Sequence, residues 1–205
     1  MTIATTYPNG QVLVSSALTV DQINKLIQAL TFGMIGLPDT DLSLVRVDWQ
    51  TEGQPFENAK YDICYLACTP QDVEYSRVRN QTLSQSGSTL TETWTYTKGW
   101  RIAWCFYGPN SEDRARMVRS AMFMDYFNDQ LNLGQLFPVP DPPEVVRAPE
   151  HINGQWFERA DFHIIMYENV TETIQDGIAT SVENKVYLPT SPDASHPAAD
   201  FTVEA

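Results

Sequence analysis

The stretch that decides the fold is WRIAWCFYGPNSEDRARMVRSAMFMDYFNDQLNLG, residues 100–134. Its first eight residues are nearly all apolar, which is typical of a strand in the middle of a sheet. The turn-forming residues 108–110 end that strand, and Asn110 or Ser111 is the predicted cap of a helix. We expect one unbroken helix from 111 to 133, roughly 30 Å long and closed by Gly134.

Two apolar stripes on this helix predict that it packs broadly on the sheet. Four residues form one stripe and four form the stripe beside it: Met117, Ala121, Met124 and Leu131, then Ala115, Val118, Met122 and Tyr126. Downstream, polar and apolar residues alternate from Trp156 to Tyr167, which predicts a strand. The unit Trp94–Val170 is therefore predicted to be strand, turn, helix and strand, and the chain is predicted to be α+β.

The N-terminal part of the chain predicts a second helix. Thr19 and Gln22 match a capping box, apolar residues recur at helical spacing behind them, and Gly36 with Pro38 ends the helix. Further strands are predicted over 44–50, 61–68 and 90–98. A turn or bulge is predicted at Lys98-Gly99, and a last hairpin is predicted around Asp176-Gly177 within 173–188.

These elements predict one domain with two extensions. Residues 1–18 are an N-terminal arm with a short strand over residues 12–14, and residues 19–188 are a single α+β domain. Within the domain, residues 70–88 are predicted to be an exposed loop or a projecting hairpin, and the proline-rich residues 138–149 to cross the sheet in extended form. Residues 189–205 are predicted to be a flexible or docked tail.

Composition excludes several classes of function. The chain has 13 Lys and Arg against 26 Asp and Glu, a formal net charge of -13. Such a surface repels phosphate, so tight binding of DNA or RNA is not expected. Solubility alone would explain the acidity. No signal peptide or stretch long enough to span a membrane is recognisable, so we expect a soluble protein with no membrane partner.

The three cysteines, Cys64, Cys68 and Cys105, lie in apolar and aromatic segments. An odd number in such contexts predicts reduced thiols and synthesis inside the cell. Cys64 and Cys68 could be metal ligands, but no second pair of Cys or His completes a zinc site, and buried structural thiols are favoured. We expect neither a metal nor a cofactor.

No phosphate-binding loop, nucleophile elbow or His-Glu-x-x-His motif is present in the sequence. Arg159, Asp161 and His163 share one face of the predicted strand. In a catalytic interpretation, Asp161 would orient His163 as a base, whereas a polar strip on a solvated strand face is the simpler interpretation. No catalytic residue is therefore assigned.

Two groups of arginines suggest contacts between subunits. The helix start 111–116 carries mixed charges at helical spacing, which fits either a solvated face or an inter-subunit contact. Arg77 and Arg79 are too few for a nucleic-acid site, and they fit either a contact with an acidic neighbour or a solvated loop equally well.

Two segments, TWTYTKGWRIAWCFYGPNSEDRARMVRSAMFMDYFNDQL (93–131) and FPVPDPPEVVRAPEHINGQWFERADFHIIMYENV (137–170), resemble the neck or tail terminator (tail completion) proteins of tailed bacteriophages. The resemblance covers roughly residues 48–173. It implies a twisted, mainly antiparallel sheet with an N-terminal helix and one long central helix packed on it, between extended N- and C-terminal arms. It also implies a virion structural protein rather than an enzyme, made in the host bacterial cytoplasm and placed at the neck.

The resemblance further implies a ring, usually of six copies, that terminates the tail tube and joins it to the head-side connector. Its expected partners are other copies of the chain, the tail tube protein and a head-side connector or adaptor protein, with the tail sheath as a further candidate. DNA would pass through the lumen without specific binding, and an acidic lumen would suit that passage. The predicted interface residues are Arg77, Arg79, Arg114, Arg116, Arg119 and Arg159.

Two other interpretations remain open at this point. One is a head-completion or connector adaptor in the same neck, which differs from a terminator only in what it touches. The other is a small hydrolase that uses the face of Arg159, Asp161 and His163.

Overall fold

The computed structural model describes residues 3–8, 11–37, 44–47, 61–152, 154–177, 181–184 and 201–204. The helices in this part of the chain are α1 (Val20–Met34), α2 (Ser111–Ala121), α3 (Asp125–Leu133) and a short 3-10 helix at Glu74–Arg77. The strands are β1 (Ile3–Thr6), β2 (Val12–Ser15), β3 (Val45–Val47), β4 (Ile63–Gln71), β5 (Arg79–Ser86), β6 (Thr89–Tyr107), β7 (Leu136–Pro138), β8 (Val146–Arg147), β9 (Glu150–Ile152), β10 (Gln155–Phe157), β11 (Arg159–Gly177), β12 (Ser181–Asn184) and β13 (Phe201–Glu204).

The fold is built on two strands of 19 residues, β6 and β11, which pair antiparallel along their whole length. The main sheet runs β1-β2-β11-β6-β4-β3, and only β3 and β4 pair in parallel among the described strands. At other points along their length, β5 joins β6, while β7 and β8 join β11. The predicted α+β class with a mainly antiparallel sheet is confirmed.

The sheet has two ends of different character. At one end, α1 packs on β3 and β4, while α2 packs on β6 and β11. This helix-covered end holds the core, including the fully buried Trp104 and Phe162, whose rings stack at 5.5 Å. At the other end β1, β2 and β5 flank the paired segments 89–96 of β6 and 170–177 of β11. We call this five-stranded end the ribbon.

The predicted start of α1 is confirmed. The Thr19 hydroxyl accepts from Gln22 N–H, and the Gln22 side chain accepts from Thr19 N–H, so the capping box is complete. One face of the helix buries Ile23 and Ile27, as the helical spacing predicts. The helix ends before Gly36, whose φ of +68° favours glycine, and Pro38 lies outside the described residues.

The prediction of one unbroken helix over 111–133 is wrong. After Ala121 the N–H groups of Met122 and Phe123 donate to carbonyls three residues back, and Met124 is extended (φ −92°, ψ 128°). A new helix, α3, begins at Asp125. The break lets α3 turn onto α1 and β7, where Leu131 becomes fully buried.

This break also changes which side chains are buried. The members of the two predicted stripes that the structure buries are Ala115, Val118, Ala121, Met122 and Leu131, whereas Met117, Met124 and Tyr126 are at least half exposed. Gly134 does close α3, as predicted. An added Cβ there would lie 2.2 Å from Leu26 Cδ2, so the glycine permits close contact between α3 and α1.

The predicted turn or bulge at Lys98-Gly99 is also wrong, because β6 passes through it without a change of register. Gly99 pairs with Gln71 on one side and Tyr167 on the other. An added Cβ at Gly99 would lie 2.7 Å from Gln71 O and 3.0 Å from Val73 Cγ1. The glycine therefore makes room for neighbouring backbone rather than for a turn.

Residues 70–88 are ordered as secondary structure rather than as a loop. They contain the end of β4, the 3-10 helix and the whole of β5, which forms a hairpin with β6 through Gly87 (φ +58°). The alternative prediction of a projecting hairpin therefore describes this segment better. All eight residues of β5 are exposed.

The last predicted hairpin, around Asp176-Gly177, is wrong. β11 runs through Asp176 to Gly177, and β12 pairs with β13 near the C-terminus instead. Trp156, predicted as the start of the alternating strand, belongs to β10 and pairs with β9, while β11 begins at Arg159. Residues 48–50 of the strand predicted over 44–50 lie outside the described residues.

The proline-rich crossing follows the edge of β11. Its first and last parts pair with that strand, β7 at Met166–Glu168 and β8 at Ala160–Asp161. The N-terminal arm also lies along β11, because β2 pairs with residues 172–175. The predicted strand at 12–14 is thus present and belongs to the main sheet.

Candidate functional site

The face of the sheet opposite the helices carries the residues that the sequence suggested as an alternative active site. Pairing of β11 with β6 places Arg159 opposite Tyr107, Asp161 opposite Cys105 and His163 opposite Ala103. All of these residues except Tyr107 line an open cavity of about 410 Å³ between β4, β6, β8 and β11. Sequence alternation alone was enough to place Arg159, Asp161 and His163 on this face.

Arg159 organises the polar groups of the cavity. Its Nε and Nη2 donate to the two oxygens of Asp161 at 2.8 and 2.9 Å, and its Nη1 donates to Glu150 at 3.0 Å. The Glu150 carboxyl also accepts from Tyr107 O–H at 2.8 Å. Hydrogen bonds from Tyr107 and Arg159 lower the pKa of Glu150, while the bond to Asp161 raises the pKa of Arg159.

The structure also places the Cys105 thiol on this face, opposite Asp161. The sequence alone did not connect these two residues. The thiol is poorly suited to attack. Burial, followed by the hydrogen bond to Asp161, raises the pKa of Cys105 to about 12, so the thiol stays protonated near neutral pH. A strand register that brings position 105 opposite 161 could have suggested this contact.

The geometry does not assemble the catalytic pair that the hydrolase interpretation requires. Both Asp161 oxygens are held by Arg159, and the exposed His163 lies one position further along the same strand face. A base needs a third group that orients it toward a nucleophile. The face is better described as a polar strip in which Arg159 of β11 and Tyr107 of β6 both donate to Glu150 of β9.

The six predicted interface arginines are spread over three parts of the molecule, and each has an acidic partner in its own chain. Arg114 lies at the start of α2, where Nη2 is 3.1 Å from Asp62 Oδ2. The same aspartate accepts from Asn110 N–H and from Asn110 Nδ2. Both side chains of the ion pair are largely buried, so Arg114 joins α2 to the start of β4.

Arg119 holds the proline-rich crossing against α2. Its Nε donates to Pro143 O at 2.9 Å, and its Nη2 is 2.9 Å from Glu144 Oε1. The guanidinium also lies over the Phe123 ring, 5.6 Å from its centre. This arginine therefore fixes a segment that the sequence predicted only as an extended crossing.

The other arginines are more exposed. Arg77 pairs with Asp72 at 2.6 Å and Arg116 with Glu112 at 2.7 Å, both on the surface. Arg79 begins β5, stacks on the Tyr96 ring at 3.9 Å and is 3.6 Å from Glu172 Oε2. These three guanidinium groups could contact a neighbouring molecule without disturbing the core.

Comparison with protein-family models gives a match over most of the chain. A model described as "Phage neck terminator protein" matches residues 21–187. The chain belongs to the phage neck terminator protein family. The match begins in α1 and extends beyond β12, so it includes both long strands and all three α-helices described above. A search of curated proteins gives no match.

Membership of the neck terminator family implies a structural protein of the virion with a tail-terminating role at the neck. It also implies assembly with other tail and neck proteins. The neck terminator contains no cluster of three His, Cys, Asp or Glu side chains suited to a metal ion among its described residues. No helix in the described part of the chain is long and apolar enough to cross a membrane.

The thiols of this neck terminator are free, as predicted from their sequence contexts. Cys64 and Cys68 are buried and Cys105 is half-buried. Burial raises the pKa of Cys68 to about 12, and it raises the pKa of Cys64 as well. Cys64 and Cys68 thus contribute to the apolar side of β4 as small buried side chains.

Proposed function

We propose that the protein forms a closed ring at the phage neck, which terminates the tail tube and joins it to the head-side connector. The observation that carries this proposal is the family match over residues 21–187. Six copies are the expected number, and DNA passes through the lumen. The chain acts without catalysis, since the polar groups of the open face are engaged with one another: Arg159 bonds Asp161 within β11, and Arg159 and Tyr107 both bond Glu150 of β9.

A ring with cyclic symmetry uses two different patches, each of which binds the other patch on the next copy. The predicted interface arginines differ in how well they fit such a role. The side chains of Arg77, Arg116 and Arg79 are 72%, 66% and 51% exposed, so they are available to an acidic neighbour. Arg114, Arg119 and Arg159 are at most 30% exposed and contribute to a subunit contact mainly by holding their own segments in place.

The acidity of the chain suits the passage of DNA. Acidic residues outnumber basic ones by 26 to 13, so a lumen lined by Asp and Glu would not retain the phosphate backbone. The chain is made in the host bacterial cytoplasm and reaches the virion during assembly. A density map of the assembled ring with a neutral or basic lumen would contradict the acidic lining.

The ring proposal is tested on phage particles and on the purified chain. Native mass spectrometry of the full chain is expected to show a species near six times 23.2 kDa. Gold-labelled antibody is expected at the head-proximal end of the tail. In a phage that lacks the protein, tail tubes should not be attached to heads. Label along the whole tail, or normal joined particles without the protein, would overturn the proposal.

A matched pair of variants tests the interface arginines. Arg116→Glu reverses an exposed charge without touching the core, so it should weaken the ring while the isolated chain stays folded. Lys25→Glu reverses an exposed charge on α1, where Lys25 pairs with Asp21, and serves as the control. An intact ring with Arg116→Glu would exclude Arg116 from the interface.

A further inference from the structure

The ribbon has two edges that no described strand covers. β5 pairs with β6 on one side and β1 pairs with β2 on one side, while the outer side of each faces no strand in the described part of the chain. All residues of both strands are exposed. Alternate residues of each edge therefore point their backbone N–H and C=O groups outward.

Neither edge is blocked by a proline or a bulge, and the two edges carry a single charge between them. β1 reads IATT and contains no charge or proline, and β5 reads RNQTLSQS with Arg79 as its only charged residue. The register of β5 with β6 is continuous over all eight residues, so no bulge turns the edge away. At the helix-covered end, by contrast, β7 and β8 pair along the side of β11 that faces away from β6.

The two edges are level with each other. Four rows of paired residues cross the ribbon from β5 to β1 through β6, β11 and β2. In that order, the rows are Gln81-Trp94-Glu172-Ser15-Ile3, Thr82-Thr93-Thr173-Val14-Ala4, Leu83-Glu92-Ile174-Leu13-Thr5 and Ser84-Thr91-Gln175-Val12-Thr6. Every residue of β1 is thus matched in height by a residue of β5.

The two edges also run in the same direction. Each of the four neighbouring pairs in the ribbon is antiparallel, and five strands separated by four reversals leave the first and last strand with the same polarity. Rotation about a ring axis does not change the direction in which a strand runs along that axis. The β1 edge of one copy can therefore meet the β5 edge of the next copy only as a parallel pair when the sheet continues around the axis.

We propose that the β1 edge of one copy pairs in parallel with the β5 edge of the next copy, and that this pairing joins the ribbons around the ring. The inference rests on the proposed ring and names the surfaces that close it. It is heterologous, as a cyclic ring requires, whereas pairing of β5 with β5 would give an antiparallel dimer that stops at two copies.

The pleat of the sheet makes this pairing testable. Side chains of one row lie on one face, and the next row lies on the other face. Ala4 and Thr6 share a face with Thr82 and Ser84, while Thr5 lies on the opposite face. A continuous sheet keeps these faces, so only same-face pairs can approach closely enough for a disulfide bond.

The experiment uses the full chain in purified phage particles, with one cysteine substitution on each edge. Ala4→Cys or Thr6→Cys is combined with Thr82→Cys or Ser84→Cys, and mild oxidation is followed by a denaturing gel. Within one copy the edges are separated by four strand spacings, roughly 19 Å, so no bond can form inside a chain. At least one same-face combination is expected to give a ladder of covalent multimers.

Thr5→Cys combined with Thr82→Cys is the matched control, because it places the thiols on opposite faces. It is expected to give at least tenfold less multimer. The unsubstituted chain, with its three native thiols, gives the background. Covalent dimers from Thr82→Cys alone, with no larger species from any combination, would indicate the antiparallel dimer and overturn the proposal.

The outcomes separate this inference from the ring itself. If none of the four same-face combinations gives a ladder while native mass spectrometry still shows an intact ring, the edge pairing is wrong and the ring stands. If particles do not contain the protein at the neck, the ring and the edge pairing are both wrong.

Discussion

Glu168 accepts a hydrogen bond from Trp100 Nε1–H at 2.7 Å, and neither residue is more than 1% exposed. The other carboxyl oxygen of Glu168 accepts from the backbone N–H of Leu18, just before α1. One buried carboxyl group therefore joins the N-terminal arm to the two long strands. A buried carboxyl group without hydrogen-bond partners would destabilise the folded state, and here each of the two oxygens accepts a hydrogen bond.

Replacing Glu168 tests this role. Glu168→Gln keeps the shape but turns one acceptor into an N–H donor that faces another donor. We expect it to lower the free energy of unfolding by about 1–3 kcal/mol. Urea denaturation measures the change. Glu158→Gln, at an exposed pair with Arg147, is the control, and equal effects of the two variants would contradict the role of Glu168.

Gly99 is expected to tolerate no side chain, although its strand is regular. The Cβ of Gly99→Ala would press on Gln71 O, so the two strands must separate, and we expect a loss of about 1–3 kcal/mol of stability. Gly33→Ala is the matched control within α1, where the added Cβ would lie 3.5 Å from Phe127 Cε1, an ordinary contact. It should stabilise the chain by about 0.4–1 kcal/mol. Thermal unfolding of both variants compares their stability. An unchanged stability of Gly99→Ala would contradict the prediction and show that β4 can move away from β6 at little cost.

The ion pair of Arg114 with Asp62 is expected to matter for folding more than that of Arg116 with Glu112. Arg114→Met leaves Asp62 largely buried with one partner fewer, and we expect a cost of about 1–3 kcal/mol. Arg116→Met removes an exposed pair between residues one helical turn apart and should cost less than about 0.5 kcal/mol. Urea denaturation of the two variants gives the comparison. A larger loss from Arg116→Met would contradict it.

Cys105 is expected to react slowly with iodoacetamide. With a pKa of about 12, only about one thiol in ten thousand is ionised at pH 8, and the rate should rise about tenfold for each pH unit below that pKa. Asp161→Asn removes a group that raises the pKa, so it should speed the reaction, while burial still keeps the pKa above its usual range. Mass spectrometry of the modified peptide gives the rate. Glu158→Gln is the control, and a rate at pH 8 like that of an exposed thiol would contradict the prediction.

The sequence predicted those features that depend on residues close together along the chain. The capping box of Thr19 with Gln22 and the alternation of buried residues in β11 are both confirmed, because each reports an interaction within a few residues. The helix break at Met122–Met124 contains no proline or glycine. The break allows α3 to contact α1, which lies about 90 residues earlier in the chain, and β7, which follows α3.

Two other features were not predicted, each for its own reason. β5 is exposed on both faces, so its residues show no alternation and its sequence has the composition of a loop. Glycine at position 99 suggests a turn from sequence alone. The structure instead explains the glycine by the close approach of Gln71 and Val73. At the candidate site, spacing placed Arg159, Asp161 and His163 on one face, but it could not show that Arg159 holds both oxygens of Asp161.

The full-length pairing of β6 with β11 has a mechanical consequence. The two strands are antiparallel neighbours through both the helix-covered end and the ribbon, so they form one continuous ladder of 19 residue pairs, roughly 60 Å measured along the strands. A force that pulls the ribbon along the strand axis pulls both strands together, so it is transmitted through their two continuous backbones. Tension applied at the ribbon would thus be carried directly into the packed core.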